Sequence, residues 1–315
     1  MTMKIARIAV PDFVTNSYFP AIAAVELGLF AKEGVEARYE LIFPNNRAYE
    51  VLRDGGVDFV AGPAHALLPA FPEWRGAKLL VALSQGTFWM LVMRADFAGA
   101  PGDVNALKGK RIGAAPFVDL TLKQLLIDAG VDMVADDVQI VPVPGAHDPG
   151  VSFGVHAAKA LAEGHIDGFW ANAMGAENAV QSGVGKVILD VRRGLGPAAA
   201  FHYTIPVLAT TDQAIARDPD LIASGMRAVM AAQRALKADP GLAAQIGAKL
   251  FPKAEAALIG NVVARDLPFY APDITDAAVA GLVRFTRAVG MLKGSPTRAD
   301  MVAEAFSPLW SAPIP

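Results

Sequence analysis

The sequence predicts an α/β protein of two lobes, and three observations lead to this fold class. The chain has 315 residues, more than a single hydrophobic core usually serves. Segments with strand and helix patterns alternate from Ile5 onward, as they do in α/β folds. Residues 52–62 and 161–172 share one plan: leucine, two residues, glycine, two residues, aspartate and an apolar stretch. This internal repeat indicates that the two lobes are similar.

The first lobe is predicted to start with a strand, a loop, a helix and a second strand. Ile5–Val10 and Val35–Leu41 have strand patterns, and Gly28 and Gly34 bring the intervening helix to its end. Pro20 suits a first helical turn. The apolar residues at helical spacing are Phe19, Ile22, Ala23, Leu27 and Phe30, and the possible N-caps are Thr15, Asn16 and Ser17.

The same alternation continues to about residue 212, and the remainder reads as a helical tail. We expect the first lobe to comprise residues 1–95 and 206–315, and the second lobe residues 96–205. The further strands are expected at 59–61, 79–83, 88–93, 107–116, 138–143, 186–191 and 201–212, with a helix at 120–129.

A motif in the first helix carries a family resemblance. Its residues are Ala24, Val25, Glu26, Gly28, Phe30, Glu33, Gly34 and Val35. The pattern resembles the first helix of ABC-transporter solute-binding proteins of the sulfonate/taurine and thiamine-pyrimidine-binding group. Residues 107–116, LKGKRIGAAP, resemble the start of the second lobe in that family. The resemblance implies a type II periplasmic-binding-protein fold, in which two α/β lobes joined by two crossing strands close a cleft on a ligand.

Composition excludes several classes of function. The net charge of −3 and the absence of a Lys/Arg-rich run argue against a nucleic-acid partner. The chain has no cysteine, so disulfides, thiolate metal sites and cysteine nucleophiles are impossible. The start MTMKIARIAVPD lacks the plan of a secretory signal. The resemblance nevertheless implies a periplasmic location, with a cytoplasmic one as the alternative.

The loops after the predicted strands are rich in aromatic residues and contain no lysine or arginine. Aromatic faces stack on planar ligands, and carboxylates accept hydrogen bonds from amino groups. The alternatives stay open: the aromatics can be core, Asp119 can cap a helix, and the asparagines can serve turns. The candidate ligand-binding residues are Asp12, Phe13, Asn16, Tyr18, Asn45, His65, Trp89, Phe117, Asp119, Trp170 and Asn172.

These features favour a binding protein over an enzyme. We expect a monomer without metal or cofactor that delivers a planar, thiamine-pyrimidine-like ligand to the permease and ATPase of an ABC importer. The alternative is a cytoplasmic lyase, decarboxylase or pyrimidine-biosynthesis enzyme on the same fold, with His65 and either Asp12 or Asp119 as acid and base. The cysteine motif of the yeast-type pyrimidine synthases cannot occur here.

Overall fold

The computed structural model describes residues 4–146 and 153–312, which form two compact units. The first unit contains the described residues up to Gly86 and from Thr204 onward, and the second unit is Thr87–Tyr203. The ten strands are β1 Lys4–Val10, β2 Val35–Leu41, β3 Phe59–Pro63, β4 Ala77–Ala82, β5 Met90–Arg94, β6 Arg111–Ala114, β7 Gln139–Val141, β8 Gly168–Ala171, β9 Gly185–Leu189 and β10 Pro206–Thr211.

Each unit is built on one five-stranded mixed sheet. The strand order is β2-β1-β3-β10-β4 in the first unit and β7-β6-β8-β5-β9 in the second. In each sheet one strand, β10 or β5, runs antiparallel to both of its neighbours. The α/β class predicted from the sequence is confirmed. Because β5 pairs with β8 and β9, the second unit begins before the boundary expected at residues 95 and 96.

Helices accompany both sheets. The twelve α-helices in the described residues are α1 Phe19–Glu26, α2 Leu29–Lys32, α3 Asn45–Arg53, α4 Val118–Asp128, α5 Phe153–Ala162, α6 Ala173–Gln181, α7 Asp212–Arg217, α8 Pro219–Ala238, α9 Gly241–Leu250, α10 Lys253–Asp266, α11 Asp276–Ala288 and α12 Arg298–Met301. The last six form the predicted helical tail, which packs on the first unit: Gln233 of α8 donates hydrogen bonds to the carbonyl oxygens of Ala82 and Leu83, both 2.9 Å long.

The internal repeat corresponds to an arginine–aspartate interaction that occurs once in each unit. In the first unit the guanidinium of Arg7 donates to Asp58 at 3.1 Å and to the carbonyl of Gly55 at 3.2 Å. In the second, Arg111 donates to Asp167 at 3.4 Å and to the carbonyl of Gly164 at 3.1 Å. The backbone N–H of each arginine also donates to the same carboxylate. The two aspartates of the repeat therefore fix equivalent strand pairs.

The first helix differs from its prediction in two respects. The first helix begins at Phe19 after Tyr18, which makes no side-chain cap, so Thr15, Asn16 and Ser17 are not the N-cap. It also divides into α1 and α2, because Gly28 adopts a left-handed conformation with φ of 67°.

Candidate functional site

Buried polar side chains collect at one edge of the first sheet, which we call the first carboxyl edge. Strands β1, β3 and β4 end there, at Val10, Pro63 and Ala82, and β10 begins there. Ligands of open α/β sheets bind outside the carboxyl ends of the strands. Buried polar groups are costly unless they are hydrogen-bonded, so their concentration at this edge marks it as a candidate site. The buried polar residues that follow these strand ends or precede β10 are Thr15, Asn16, Ser17, His65, Ser84 and Thr204.

The loop after β1 positions Asp12, Phe13 and Tyr18. Oδ1 of Asp12 accepts a hydrogen bond of 3.0 Å from the backbone N–H of Val14, which closes a turn. The ring of Phe13 meets Tyr39 edge to face, with 5.3 Å between the centroids. Burial raises the pKa of Tyr18 well above its ordinary value, with further contributions from Tyr49 and Asp12. The Tyr18 hydroxyl is therefore protonated at neutral pH.

Asn16 connects this loop to the helical tail. Its Nδ2 donates to the buried carboxylate of Asp266 at 2.6 Å, and its backbone carbonyl accepts a hydrogen bond from the hydroxyl of Tyr270. The sequence pattern of the helical tail did not indicate either partner. Sequence proximity offered no signal, because Asn16 and Asp266 lie 250 residues apart.

His65 lies inside the first unit. His65 belongs to the 3₁₀ helix Ala64–Leu67, directly after β3, and is fully buried. Its Nδ1 is 3.0 Å from Oγ1 of Thr204, and its ring packs edge to face on Phe285 with 5.6 Å between the centroids. The hydrogen bond with Thr204 links the end of β3 to the residues that precede β10.

Asn45 is the first residue of α3, at the end of the loop after β2. Only 7% of the residue is exposed. The next residue, Asn46, donates through Nδ2 to Glu50 at 3.1 Å. A carboxylate only accepts hydrogen bonds, so Oδ1 of Asn46 faces away from Glu50. That oxygen is buried, and no donor among the described residues reaches it.

The second unit has an equivalent carboxyl edge, where two aromatic residues are buried: Phe88 is 2% exposed and Trp89 is 4% exposed. Strands β6, β8 and β9 end there, and β5 begins there, just after Phe88 and Trp89. The Phe88 and Trp89 rings lie 4.2 Å apart at an interplanar angle of 35°. Arg192, in the 3₁₀ helix that follows β9, is only 7% exposed. Its guanidinium carbon lies 5.7 Å from the centroid of Phe88, in cation–π range.

Trp170 and Asn172 make contacts within the second unit. The indole Nε1 of Trp170, at the end of β8, donates to Oγ1 of Thr121 at 2.9 Å. Asn172 is the N-cap of α6, and its Oδ1 accepts a hydrogen bond of 3.1 Å from the backbone N–H of Gly175. A capping role accounts for Asn172 without a ligand.

Phe117 and Asp119 lie at the start of α4. Phe117 precedes the helix in a strained conformation with φ of 66°. Asp119 is the second residue of α4 and not its N-cap, because the helix starts earlier than predicted. The carboxylate of Asp119 forms an ion pair with Lys123, one turn further along α4.

Basic side chains thus lie beside loops that themselves contain none. Lys123 and Arg192 come from helices, and each contacts a residue of a predicted loop. The sequence-based inference from loop composition overlooked both cations. One of the loops expected after the predicted strands spans residues 144–153, and its residues 147–152 lie outside those described.

Within residues 4–146 and 153–312, no three or more histidine, cysteine, aspartate or glutamate side chains are arranged to hold a metal ion. In the same residues no helix combines the length and apolar character needed to cross a bilayer.

Comparisons with known proteins place this chain among two-lobed α/β proteins. A family model described as NMT1/THI5 like matches residues 15–243. A comparison with curated protein sequences finds no match. A protein from Bordetella bronchiseptica RB50 has a similar structure, with a TM-score of 0.75 and 18% identity over 97% of this chain and 96% of that one.

Two other solved structures have functions in their descriptions. The periplasmic sulfonate-binding protein SsuA from Methylobacillus flagellatus KT has a TM-score of 0.70 and 18% identity, over 98% of this chain and 94% of that one. The desulfurization enzyme DSZB has a TM-score of 0.63 and 16% identity, over 97% of this chain and 98% of that one. Likenesses at these identities show the fold, which both a binding protein and an enzyme share.

Proposed function

The chain belongs to the NMT1/THI5-like family, and we propose that it is a solute-binding protein that delivers a planar heteroaromatic ligand to an ABC importer. The observation that carries this proposal is the concentration of buried polar side chains at the first carboxyl edge. Such edges are where ligands of open α/β sheets bind. The sulfonate-binding protein with the same fold adds support.

The ligand we propose is an aminopyrimidine of the kind found in thiamine. The carboxylate of Asp12 and Oδ1 of Asn46, both in the first unit, are hydrogen-bond acceptors for ring amino groups. Asn16, His65, Trp170 and Asn172 instead stabilise the loops of their own units through the contacts described above.

Calorimetric titration with an aminopyrimidine and with taurine tests this ligand class. We expect the aminopyrimidine to bind and to raise the free energy of unfolding by about 2.7 kcal/mol at a concentration one hundred times its Kd. Asp12→Asn keeps the oxygen that accepts from Val14 and removes the charge, so it should weaken binding about tenfold.

The matched control is Asp103→Asn, because Asp103 also closes a turn by accepting a backbone N–H, that of Asn105 at 3.0 Å. This control should bind like the wild type. Binding of taurine with no response to the aminopyrimidine would refute the proposed ligand class.

A second ligand class is favoured by one observation, the buried guanidinium of Arg192 over the Phe88 ring. A cation beside an aromatic surface suits an aromatic sulfonate or sulfinate. Titration with benzenesulfonate in the same series distinguishes this class from the aminopyrimidines.

The enzyme alternative keeps His65 and Asp12 or Asp119 as acid and base, and DSZB shows that the fold can hold an enzyme. Two contacts argue against those roles. His65 is buried with its Nδ1 beside Thr204, and Asp119 is paired with Lys123. Chromatography of the wild type incubated with the bound compound measures whether the compound is converted. Conversion would refute the proposed binding function in favour of an enzymatic one. We further propose a monomer that acts in the periplasm with a permease and an ATPase as partners.

A further inference from the structure

Residues 266–273 of the helical tail contact two separate loops of the first carboxyl edge, and we call them the bridging segment. The segment begins at Asp266, the last residue of α10, and continues through the 3₁₀ helix Leu267–Phe269. It lies outside residues 15–243, which the family model matches. The two loops that it contacts follow β1 and β4.

The first contact of the bridging segment is with Asn16, in the loop after β1. Nδ2 of Asn16 donates to Asp266 at 2.6 Å, and the hydroxyl of Tyr270 donates to the carbonyl oxygen of Asn16. At most 1% of each of these residues is exposed. Oδ1 of Asn16 is also buried, and no donor in the described part of the chain reaches it. Because an unsatisfied buried acceptor is unfavourable, the bond to Asp266 is what orients this amide.

The position of Asn16 determines where the carboxylate of Asp12 lies. Both residues belong to the loop after β1, which contains two turns. In one, Oδ1 of Asp12 accepts from the N–H of Val14 at 3.0 Å. In the other, which contains Asn16, the N–H of Tyr18 donates to the carbonyl of Thr15 at 3.0 Å. Two consecutive turns leave the backbone little freedom, so a shift of Asn16 also shifts Asp12.

The second contact of the bridging segment is with the loop after β4. The N–H of Gln85 donates to the carbonyl of Phe269 at 2.8 Å. Nε2 of Gln85 donates to the carbonyls of Ala271 at 2.8 Å and Asp273 at 2.9 Å. The last residue of β4 also donates its N–H to the carbonyl of Pro272 at 2.9 Å. Four hydrogen bonds therefore attach this loop and its strand to the segment.

We propose that the bridging segment is a positioning element, which sets the loops after β1 and β4 relative to each other at the ligand site. Strands β3 and β10 lie between β1 and β4 in the first sheet, so the segment joins loops that are not neighbours. The inference rests on the proposed solute-binding function and adds Asp266, Tyr270 and Gln85 as positioning residues. They act through the two loops and not by contact with the ligand.

Hydrogen exchange of the full chain without ligand, followed by mass spectrometry, tests the positioning itself. Asp266→Asn replaces a charge-assisted hydrogen bond by a weaker neutral one, so the N–H groups of residues 12–18 should exchange about fivefold faster. The matched control is Asp58→Asn, a buried aspartate of the same unit that precedes β3 at the opposite edge of the sheet. Acceleration by Asp266→Asn that is no greater than in the control overturns the inference.

Gln85→Glu tests whether the segment connects the two loops. Glutamate lacks the amide donors, and its carboxylate repels the carbonyl oxygens of Ala271 and Asp273. We expect faster exchange in the bridging segment and also in residues 12–18, on the other side of β3 and β10. The matched control is Gln181→Glu in the second unit, which also loses a donor bond and should change neither region. Acceleration confined to the loop after β4 overturns the connecting role.

Calorimetric titration with an aminopyrimidine relates the segment to binding. It is carried out well below the unfolding midpoints, where each variant is folded. Asp266→Asn should weaken binding about fivefold, and Asp58→Asn should bind like the wild type. The double variant Asn16→Asp with Asp266→Asn again places an amide opposite a carboxylate and should recover most of the affinity. Unchanged affinity in Asp266→Asn, or no recovery in the double variant, overturns the role in binding.

Tyr270→Phe covers the case in which Asp266→Asn fails to fold. It keeps the ring and removes only the hydroxyl that donates to Asn16, so it should speed exchange of residues 12–18 and weaken binding in the same direction. Unchanged exchange in this variant overturns the inference. A wild type that binds no aminopyrimidine would refute the proposed ligand class, whereas the exchange experiments decide the positioning role independently.

Discussion

Asp58 and Asp167 occupy equivalent positions in the two units but differ in burial. The side chain of Asp58 is 6% exposed and that of Asp167 is 29% exposed. Asp58 also has a second arginine partner, Arg217, at 3.2 Å. The hydrogen bond that the Arg7 guanidinium donates to Asp58 is the main cause that raises the pKa of Arg7. The two residues therefore compare a buried aspartate that has two arginine partners with a more exposed aspartate paired with Arg111.

Replacement of each aspartate by asparagine should destabilise the protein unequally. Asp58→Asn should lower the free energy of unfolding by about 2 kcal/mol, because it weakens several charge-assisted hydrogen bonds at a buried position. Asp167→Asn should cost about 1 kcal/mol or less, as expected for a more exposed pair. Urea denaturation of both variants measures the difference. Equal losses would show that neither burial nor the second arginine strengthens the interaction of Asp58.

At the scale of residues, the sequence predicted chemistry but not how each polar atom is used. His65, Trp170 and Asn172 were predicted to contact a ligand, and each makes a hydrogen bond within the protein. The partners of His65 and Trp170 lie 139 and 49 residues away, so local pattern could not reveal them. The ligand contacts of all eleven candidates remain predictions.

Helices α5 and α6 approach each other through two glycines. A Cβ built on Gly154 would lie 2.6 Å from the Cα of Gly175, and one built on Gly175 would lie 2.6 Å from the Cα of Gly154. Because the opposing atoms are backbone, neither helix can yield by rotating a side chain. The contact holds the N-terminus of α5 against that of α6.

Alanine at either glycine should therefore destabilise the second unit. Overpacking costs about 1–3 kcal/mol, which exceeds the gain of about 1 kcal/mol in helix propensity. The control is Gly260→Ala in α10, whose nearest neighbour would be the side-chain Cβ of Ala244 at 3.1 Å. It should stay within about 0.5 kcal/mol of the wild type. Thermal unfolding of the three variants measures these differences in stability. An increase in stability for Gly154→Ala would contradict the close contact between α5 and α6.

Glu73 binds the segment before α12 to an earlier part of the first unit. Its carboxylate accepts hydrogen bonds from the N–H groups of Lys293 at 3.1 Å and Gly294 at 2.8 Å. These bonds lower the pKa of Glu73 below its ordinary value of 4.5. A carboxyl group with a lowered pKa stabilises the fold above its unfolded-state pKa. That contribution is lost as the pH falls through the lower, folded-state value.

Glu73→Gln should reveal this contribution. At pH 7 the wild type should unfold at a higher temperature than the variant, and the gap should shrink as the pH falls below about 4.5. Thermal midpoints between pH 7 and pH 3 measure the gap. A gap that stays constant over this range would mean that the charge of Glu73 plays no part.

At the scale of elements, most strands were predicted near their observed positions, whereas helix starts were predicted less well. Gly28 was correctly identified as a stop, but the chain resumes in α2 directly after it. The start of α4 was placed too late because Phe117 adopts a positive φ, which a non-glycine sequence does not indicate.

The whole molecule divides into one continuous unit and one discontinuous unit. Residues Thr87–Tyr203 contain all five strands of the second sheet. The first sheet needs β10, which follows the second unit in the chain. The two-lobed α/β class could be predicted because it depends on length, alternation and the repeat. The position of the boundary between the first and second units could not be predicted from the sequence, because it depends on which of the two sheets contains β5.

A fragment of residues 87–203 should fold by itself. It retains a complete sheet and its own hydrophobic core, so we expect a cooperative thermal transition and a far-ultraviolet circular dichroism spectrum typical of α/β proteins. Residues 4–86 alone lack β10, the neighbour of both β3 and β4, and should not show such a transition. Cooperative unfolding of residues 4–86 would be inconsistent with a central role for β10.

The positions of β5 and β10 imply a reciprocal exchange of strands. If the chain is divided into two successive sets of five, β1–β5 and β6–β10, the fifth strand of each set lies in the sheet of the other, at the same place and antiparallel to its neighbours. Neither half of the chain, β1–β5 or β6–β10, therefore contains all the strands of either sheet. Each half supplies the strand that fills the gap in the sheet of the other, so we expect neither half to fold as a separate chain.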